Sequence, residues 1–228
     1  MQTRSWATAE ELTAALAGEL ANEAARATAQ PRAIMLAGGT TPLAAYAHLT
    51  AHPPRVDGHL HLLFSDDRHV PPDSPHSNYG QIRPMLAAWQ MPQERVLRVL
   101  GERPIDEATS TYDQALGRFL GQGGAIPLGV LGLGTDGHTA SLFTPAQVTQ
   151  GQSVWALSVA RPDGLNGVTV SPRLLQRVGR IIVITTGVGK RATAERLVKQ
   201  PNTLTAGLAL AGHPRVELWT DQAAAPGS

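Results

Sequence analysis

Apolar positions along the chain follow two periods. Leu12, Leu16 and Leu20 recur at helical spacing behind Thr8-Ala9-Glu10-Glu11, which has capping-box spacing, and predict an amphipathic helix. Ile34-Met35-Leu36 is a short apolar run closed by Gly38-Gly39 and reads as a buried strand. Pro42 then stands where a first-turn proline belongs, before the stripe Leu43, Tyr46, Leu49. His59 to Phe64 predicts the next strand, and Ser65 to Ser77, rich in Pro, Asp and Ser, a loop. Helices are expected over Asn78–Leu86 and Ile105–Leu120, and a strand over Ile126–Leu131 that runs into Gly132-Leu133-Gly134-Thr135-Asp136-Gly137 and a helical patch from His138. Val154–Val159, Arg180–Thr186 and Val216–Trp219 are further strands, and Gly187-Val188-Gly189 precedes a helix over Lys190–Val198. Strand, glycine turn and helix alternate, which argues for an α/β fold with a largely parallel sheet.

The 228 residues contain no repeat and no linker that would split them, so one domain over 1–228 is expected, frayed after about Gln222. Lys plus Arg total 19 against 18 for Asp plus Glu, a net charge of +1, which gives no bulk attraction to nucleic acid or an anionic membrane. No cysteine is present, which removes a thiol nucleophile and Cys-bearing zinc sites. The N-terminal stretch has acids by residue 10 and no apolar run approaches the roughly 18 residues of a membrane span, so a cytoplasmic protein is expected. Only Lys190 and Lys199 among the 19 basic residues are lysines, which draws attention to each.

Three glycine turns, at Gly38-Gly39-Thr40-Thr41, Gly132–Gly137 and Gly187–Gly189, each follow a strand. Backbone N–H groups at such turns favour anions, whereas a single glycine needs no reason beyond a tight turn; three together favour an anionic ligand. Gly132, Gly134 and Gly137 match a dinucleotide fingerprint in spacing, but the strand Val154–Val159 ends without the required acid. A nucleotide P-loop at Gly187–Lys190 would need glycine where Ile184 stands and Ser or Thr where Arg191 stands. His59, His61, Asp66, Asp67 and His69 are metal-ligand types without metal-site spacing, and no G-x-S-x-G elbow occurs. Asp136-Gly137-His138-Thr139-Ala140-Ser141 remains: either an oriented histidine base facing a ligand, or a capping Asp followed by an exposed His.

Leu131 to Phe143, as L-G-L-G-T-D-G-H-T-A-S-L-F, closely resembles the signature of the glucosamine-6-phosphate isomerase/6-phosphogluconolactonase family. Ala37-Gly38-Gly39-Thr40-Thr41-Pro42 is similar to that family's phosphate-binding turn, and Phe64 to Pro71 with Ser77-Asn78 to its D-E-R-x-V-P…S-N segment. Gly189-Lys190 and Trp219 to Ala224 also resemble family positions, so the likeness runs from about Ala37 to Ala224. It implies a Rossmann-like three-layer α/β sandwich with a largely parallel sheet, shared with glucosamine-6-phosphate deaminases. It implies hydrolysis of 6-phospho-D-glucono-1,5-lactone in the oxidative pentose phosphate pathway, with no metal or organic cofactor. The partner expected is the small sugar-phosphate lactone alone, with no nucleic acid, membrane or obligate protein partner.

Carried onto this chain, the resemblance implies His138 as general base, Asp136 beside it, and Arg68 at the oxyanion or the phosphate. It implies substrate and phosphate contacts from Gly38, Gly39, Thr40, Asp66, Arg68, Gly137 and Lys190. Three departures stand out. Asp67 replaces the middle Glu of D-E-R, and Thr144 interrupts S-L-F-P. Gly167, in Asn166-Gly167-Val168-Thr169, stands where the family usually has an arginine that helps hold the phosphate; Arg161, Arg173 and Arg68 are candidates to replace it. A deaminase on the same fold would carry an acid where this chain has Phe143, and a non-catalytic sugar-phosphate sensor would need an effector segment for which no residues are spare.

Overall fold

The computed structural model describes residues 1–227. Its centre is a seven-stranded sheet, every pair parallel, formed by β1 (Gln2–Trp6), β2 (Arg32–Leu36), β3 (Leu60–Phe64), β5 (Val96–Leu97), β6 (Ala125–Gly132), β9 (Ile181–Thr185) and β10 (Val216–Asp221). Its order is β1-β10-β9-β6-β2-β3-β5. β2 and β9 are buried along their whole length, as the apolar runs Ala33–Leu36 and Ile181–Ile184 require of strands covered on both faces. Alternate residues of β2 serve opposite layers. Ile34 and Leu36 pack with α1 (Ala9–Ala25), α2 (Thr40–Ala51) and α3 (Asn78–Ala88), while Ala33 and Met35 join α4 (Ile105–Gly121) and α7 (Arg191–Lys199) on the other face. The fold is α/β with a parallel central sheet, as the alternating pattern predicts, and forms the three-layer sandwich that the family resemblance implies.

A second sheet, β4-β8-β7, is antiparallel and built from β4 (Asp66–Arg68), β7 (Ala156–Ala160) and β8 (Asn166–Val170). β4 lies within what the sequence reads as loop and carries Asp66 and Arg68, whereas β7 is the strand expected at Val154–Val159. Four further details correct the sequence reading. α2 begins at Thr40 with Gly39 as its cap, so Pro42 is the third helical residue, not the first. No helix begins at His138; Thr139 and Leu142 form a bridge, and α5 starts only at Pro145 (Pro145–Gln150). Lys190 ends a 3-10 turn and caps α7 rather than opening it. The chain past Gln222 turns back instead of fraying: Ala224 is fully buried and its N–H donates to Asp221 Oδ1 at 2.8 Å. Among the described residues no helix is long and apolar enough to cross a membrane.

Candidate active site

From β2 at the middle of the sheet, the order runs to β3 and β5 on one side and to β6, β9 and β10 on the other. The loops after β2 and β6 therefore part company, leaving the crevice in which open α/β sheets bind their ligands. The cleft there is lined by Gly38, Gly39, Asp66, Arg68, His138 and Lys190, among others, and holds about 190 Å³. That is below the ~300 Å³ at which pockets for drug-sized ligands begin, so it suits a small polar molecule and not a dinucleotide.

His138 is placed by the turn that follows β6. The Gly134 N–H donates to the His138 carbonyl at 2.9 Å, and the Gly137 N–H to the Gly134 carbonyl at 3.0 Å. Gly134 must be glycine, because a Cβ there would collide with the His138 ring and the Asp136 carboxylate. Asp136 Oδ1 accepts from the His138 backbone N–H at 3.2 Å and lies 2.5 Å from Nδ1. Burial pushes the Asp136 carboxyl up, but the hydrogen bonds from His138 outweigh it and hold the group below its ordinary value. The proton between them therefore sits on Nδ1, which leaves Nε2 as the basic nitrogen. The Phe143 ring packs against the imidazole, tilted by 43° with centroids 4.4 Å apart.

Asp66 and Asp67 are neighbours with different tasks. Asp66 lines the cleft, where it accepts from Ser65 Oγ at 2.9 Å and Ser141 Oγ at 2.6 Å. Asp67 faces away and holds the start of α3, taking the N–H groups of Asn78 at 2.6 Å and Tyr79 at 3.0 Å. Burial drives the Asp67 carboxyl up to about 6, against those N–H groups, which favour its charge. Asn78, so fixed, accepts from Arg68 Nη1 at 2.7 Å and thereby steadies the guanidinium. Gly38 leaves the room that the Asn78 amide fills. Lys190 Nζ donates to the Leu133 carbonyl at 2.7 Å at the rim of the same cleft. Burial lowers its pKa, and the Asp136 charge opposes that.

The remaining site residues named from sequence lie just outside the cleft lining. Asp136 stands behind the histidine. Gly137, at φ 89°, packs against Leu204 and accepts from the Ala206 N–H at 2.9 Å. Thr40 opens α2, and its side chain lines a separate groove with Ala9 and Thr186. Ser65, Asn78 and Ala140 line the cleft without having been named in it, and Ser141 joins through its bond to Asp66. Of these, Ala140 is a non-glycine at φ 48°, with no sequence signal. Of the three arginines considered for the Gly167 vacancy, Arg68 and Arg161 line the cleft, whereas Arg173 stacks on Trp155 at 3.9 Å and bonds the Ser153 carbonyl. Among the histidines grouped by type, His61 packs on Phe119 and His69 lies 2.6 Å from the Arg103 carbonyl oxygen.

An oriented imidazole, cations and glycine turns are gathered at the switch point of a parallel sheet, an arrangement suited to acid–base chemistry on a small anionic molecule. The chain belongs to the family described as glucosamine-6-phosphate isomerases/6-phosphogluconolactonase, whose model matches residues 7–218. It is 32% identical over 235 residues to human 6-phosphogluconolactonase, covering 96% of this chain and 91% of that protein. The solved structure of 6-phosphogluconolactonase from Trypanosoma brucei superposes with a TM-score of 0.81 at 25% identity, covering 98% and 97% of the two chains. A monomeric glucosamine-6-phosphate deaminase shares the fold, with a TM-score of 0.81 at 18% identity over 98% of each chain.

Proposed function

We propose that this protein hydrolyses 6-phospho-D-glucono-1,5-lactone to 6-phospho-D-gluconate, a step of the oxidative pentose phosphate pathway. The observation that carries the reading is the His138–Asp136 pair, with His138 lining a cleft that also presents Arg68 and Lys190. His138 Nε2 takes a proton from water as the water oxygen attacks C1 of the lactone. Charge collects on the carbonyl oxygen, where the Arg68 guanidinium stabilises it. The tetrahedral intermediate collapses, the bond from C1 to the ring oxygen breaks, and the imidazolium returns its proton to that oxygen. Asp136 holds the ring and stabilises its transient charge. The 6-phosphate rests on Gly38, Gly39 and the N-terminus of α2 at Thr40, with Lys190 as a cation beside it. No step draws on a metal or an organic cofactor. A sugar phosphate does not cross a bilayer unaided, so we place the enzyme in the cytoplasm with its substrate.

Phe143 sets the reaction apart from deamination. An aromatic ring packed against the imidazole cannot pass on the proton that ring opening of an amino sugar needs. His138→Gln tests the assignment. It should lower kcat by about 10²–10⁴-fold, the worth of a general base, while melting as wild type does. Undiminished turnover in that variant would remove His138 from the reaction.

A further inference from the structure

We propose that Arg161 is a phosphate ligand of this cleft and that it fills the place left by Gly167. The assignment rests on the lactonase reading above and deepens it.

β7 and β8 pair so that Val159 faces Gly167 and Ala160 faces Asn166, and the Arg161 N–H closes the hairpin on the Leu165 carbonyl at 3.0 Å. A Cβ added to Gly167 would lie 3.0 Å from Arg161 Cδ and 3.5 Å from Cγ. The stem of Arg161 thus passes directly beside Gly167, and a side chain there would crowd it. One strand has surrendered a side chain, and the partner strand lays an arginine across the gap.

The guanidinium that arrives there is held in place. It lies over the Phe143 ring, 5.3 Å from the centroid, and Phe143 in turn packs against His138. Nη1 donates to Ser141 Oγ at 2.5 Å and stands 3.8 Å from Asp66 Oδ2. Nε and Nη2 reach Asp163, at 3.1 and 2.9 Å. The Arg161 side chain is 8% exposed, whereas Asp163 is 46% exposed at the hairpin turn. Three of the five N–H groups are thereby engaged, which leaves one on each Nη. That fork is the arrangement that grips phosphate oxygens. Asp66 is bound by Ser65 and Ser141 and stays where it is, while water screens the Asp163 contact, so an entering dianion competes with the weaker of the two counter-charges.

The test compares kcat/KM on 6-phosphogluconolactone and on unphosphorylated gluconolactone, with the spontaneous rates subtracted. Arg161→Gln removes the charge but keeps a side-chain amide. A lost charge-assisted contact predicts a fall of about 10- to 150-fold on the phosphorylated substrate. That fall should be at least tenfold larger than the fall on the unphosphorylated lactone. The double variant Arg161→Ala/Gly167→Arg returns an arginine from the other strand; with the Arg161 stem gone, the nearest atom its Cβ must accommodate is the Asp67 carbonyl oxygen at 3.2 Å. It should recover most of the phosphate preference that Arg161→Ala loses. Equal losses on both substrates in Arg161→Gln, or no loss, would overturn the assignment alone. A wild-type protein that hydrolyses neither lactone would overturn the lactonase reading and this assignment with it.

Discussion

Asp136→Asn isolates a single charge. The amide keeps an oxygen for Nδ1–H of His138 and for its backbone N–H, so the imidazole stays oriented while the counter-charge disappears. A general base starts the step without the proton, so the ground state loses little. In the transition state it carries the proton taken from water, and the carboxylate 2.5 Å from Nδ1 is then opposite an imidazolium. Unit charges about 4 Å apart attract by about 1 kcal/mol in water and about 4 kcal/mol at a protein-like dielectric. The His138 and Asp136 side chains are 28% and 54% exposed, which places the pair between those limits. A loss of about 1–3 kcal/mol follows, or about 5- to 150-fold at ~1.4 kcal/mol per factor of ten. Because the charge appears only in the transition state, the fall belongs to kcat, with KM within about twofold of wild type. Initial-rate kinetics on fresh lactone, corrected for spontaneous hydrolysis, give both constants. A raised KM at wild-type kcat would mean that Asp136 holds substrate, and would refute its role behind the imidazole.

Lys190→Met should raise KM for 6-phosphogluconolactone by about 10- to 150-fold with kcat little altered, since a phosphate contact is the same in ground and transition states; comparable losses on unphosphorylated gluconolactone would make Lys190 structural. Asp67 carries a pH signature. Its folded value of about 6 against an ordinary 3.8 means that the folded chain holds the proton more tightly than the unfolded chain. Its contribution is therefore most favourable below about pH 4 and is lost as pH rises through about 6, a change of about 3 kcal/mol. Urea unfolding from pH 4 to pH 7 should show wild type losing most of that, about 2 kcal/mol, relative to Asp67→Asn, and a constant difference between the two would disprove the burial argument. Glucosamine 6-phosphate should release no ammonia above background, because Phe143 holds the relay position; ammonia release that vanishes in His138→Ala would reverse the choice of reaction.

What could be read from sequence follows how local each signal is. β2, β6 and β9 are apolar runs buried on both faces, and their glycine exits mark the cleft without any tertiary information. β1 escapes notice because it is an edge strand, four of whose five residues are exposed, so no pattern distinguishes it from coil. β4 and β8 escape for a different reason. Asp66-Asp67-Arg68 has no strand propensity, and the ladder that makes it a strand pairs residues about a hundred positions apart; β8 opens on Asn166-Gly167, which hides the short Val168–Val170 run behind turn residues. The site divides in the same way. His138, Gly38, Gly39 and Lys190 lie at the glycine turns themselves. Asn78, Ser141 and Arg161 owe their positions to bonds with Arg68, Asp66 and Phe143, which lie elsewhere in the chain. Gly167 was visible as a departure, but only the hairpin register shows that Arg161 crosses it.

The central claim is that the cleft beside β6 hydrolyses a phosphorylated lactone with side chains alone. The most direct measurement is the rate at which purified protein opens freshly generated 6-phosphogluconolactone, after subtraction of the spontaneous rate and with EDTA present. The account predicts turnover well above background, unaffected by the chelator and lost in His138→Gln. A rate no greater than the spontaneous one, or one that collapses in EDTA and returns with zinc, would contradict it.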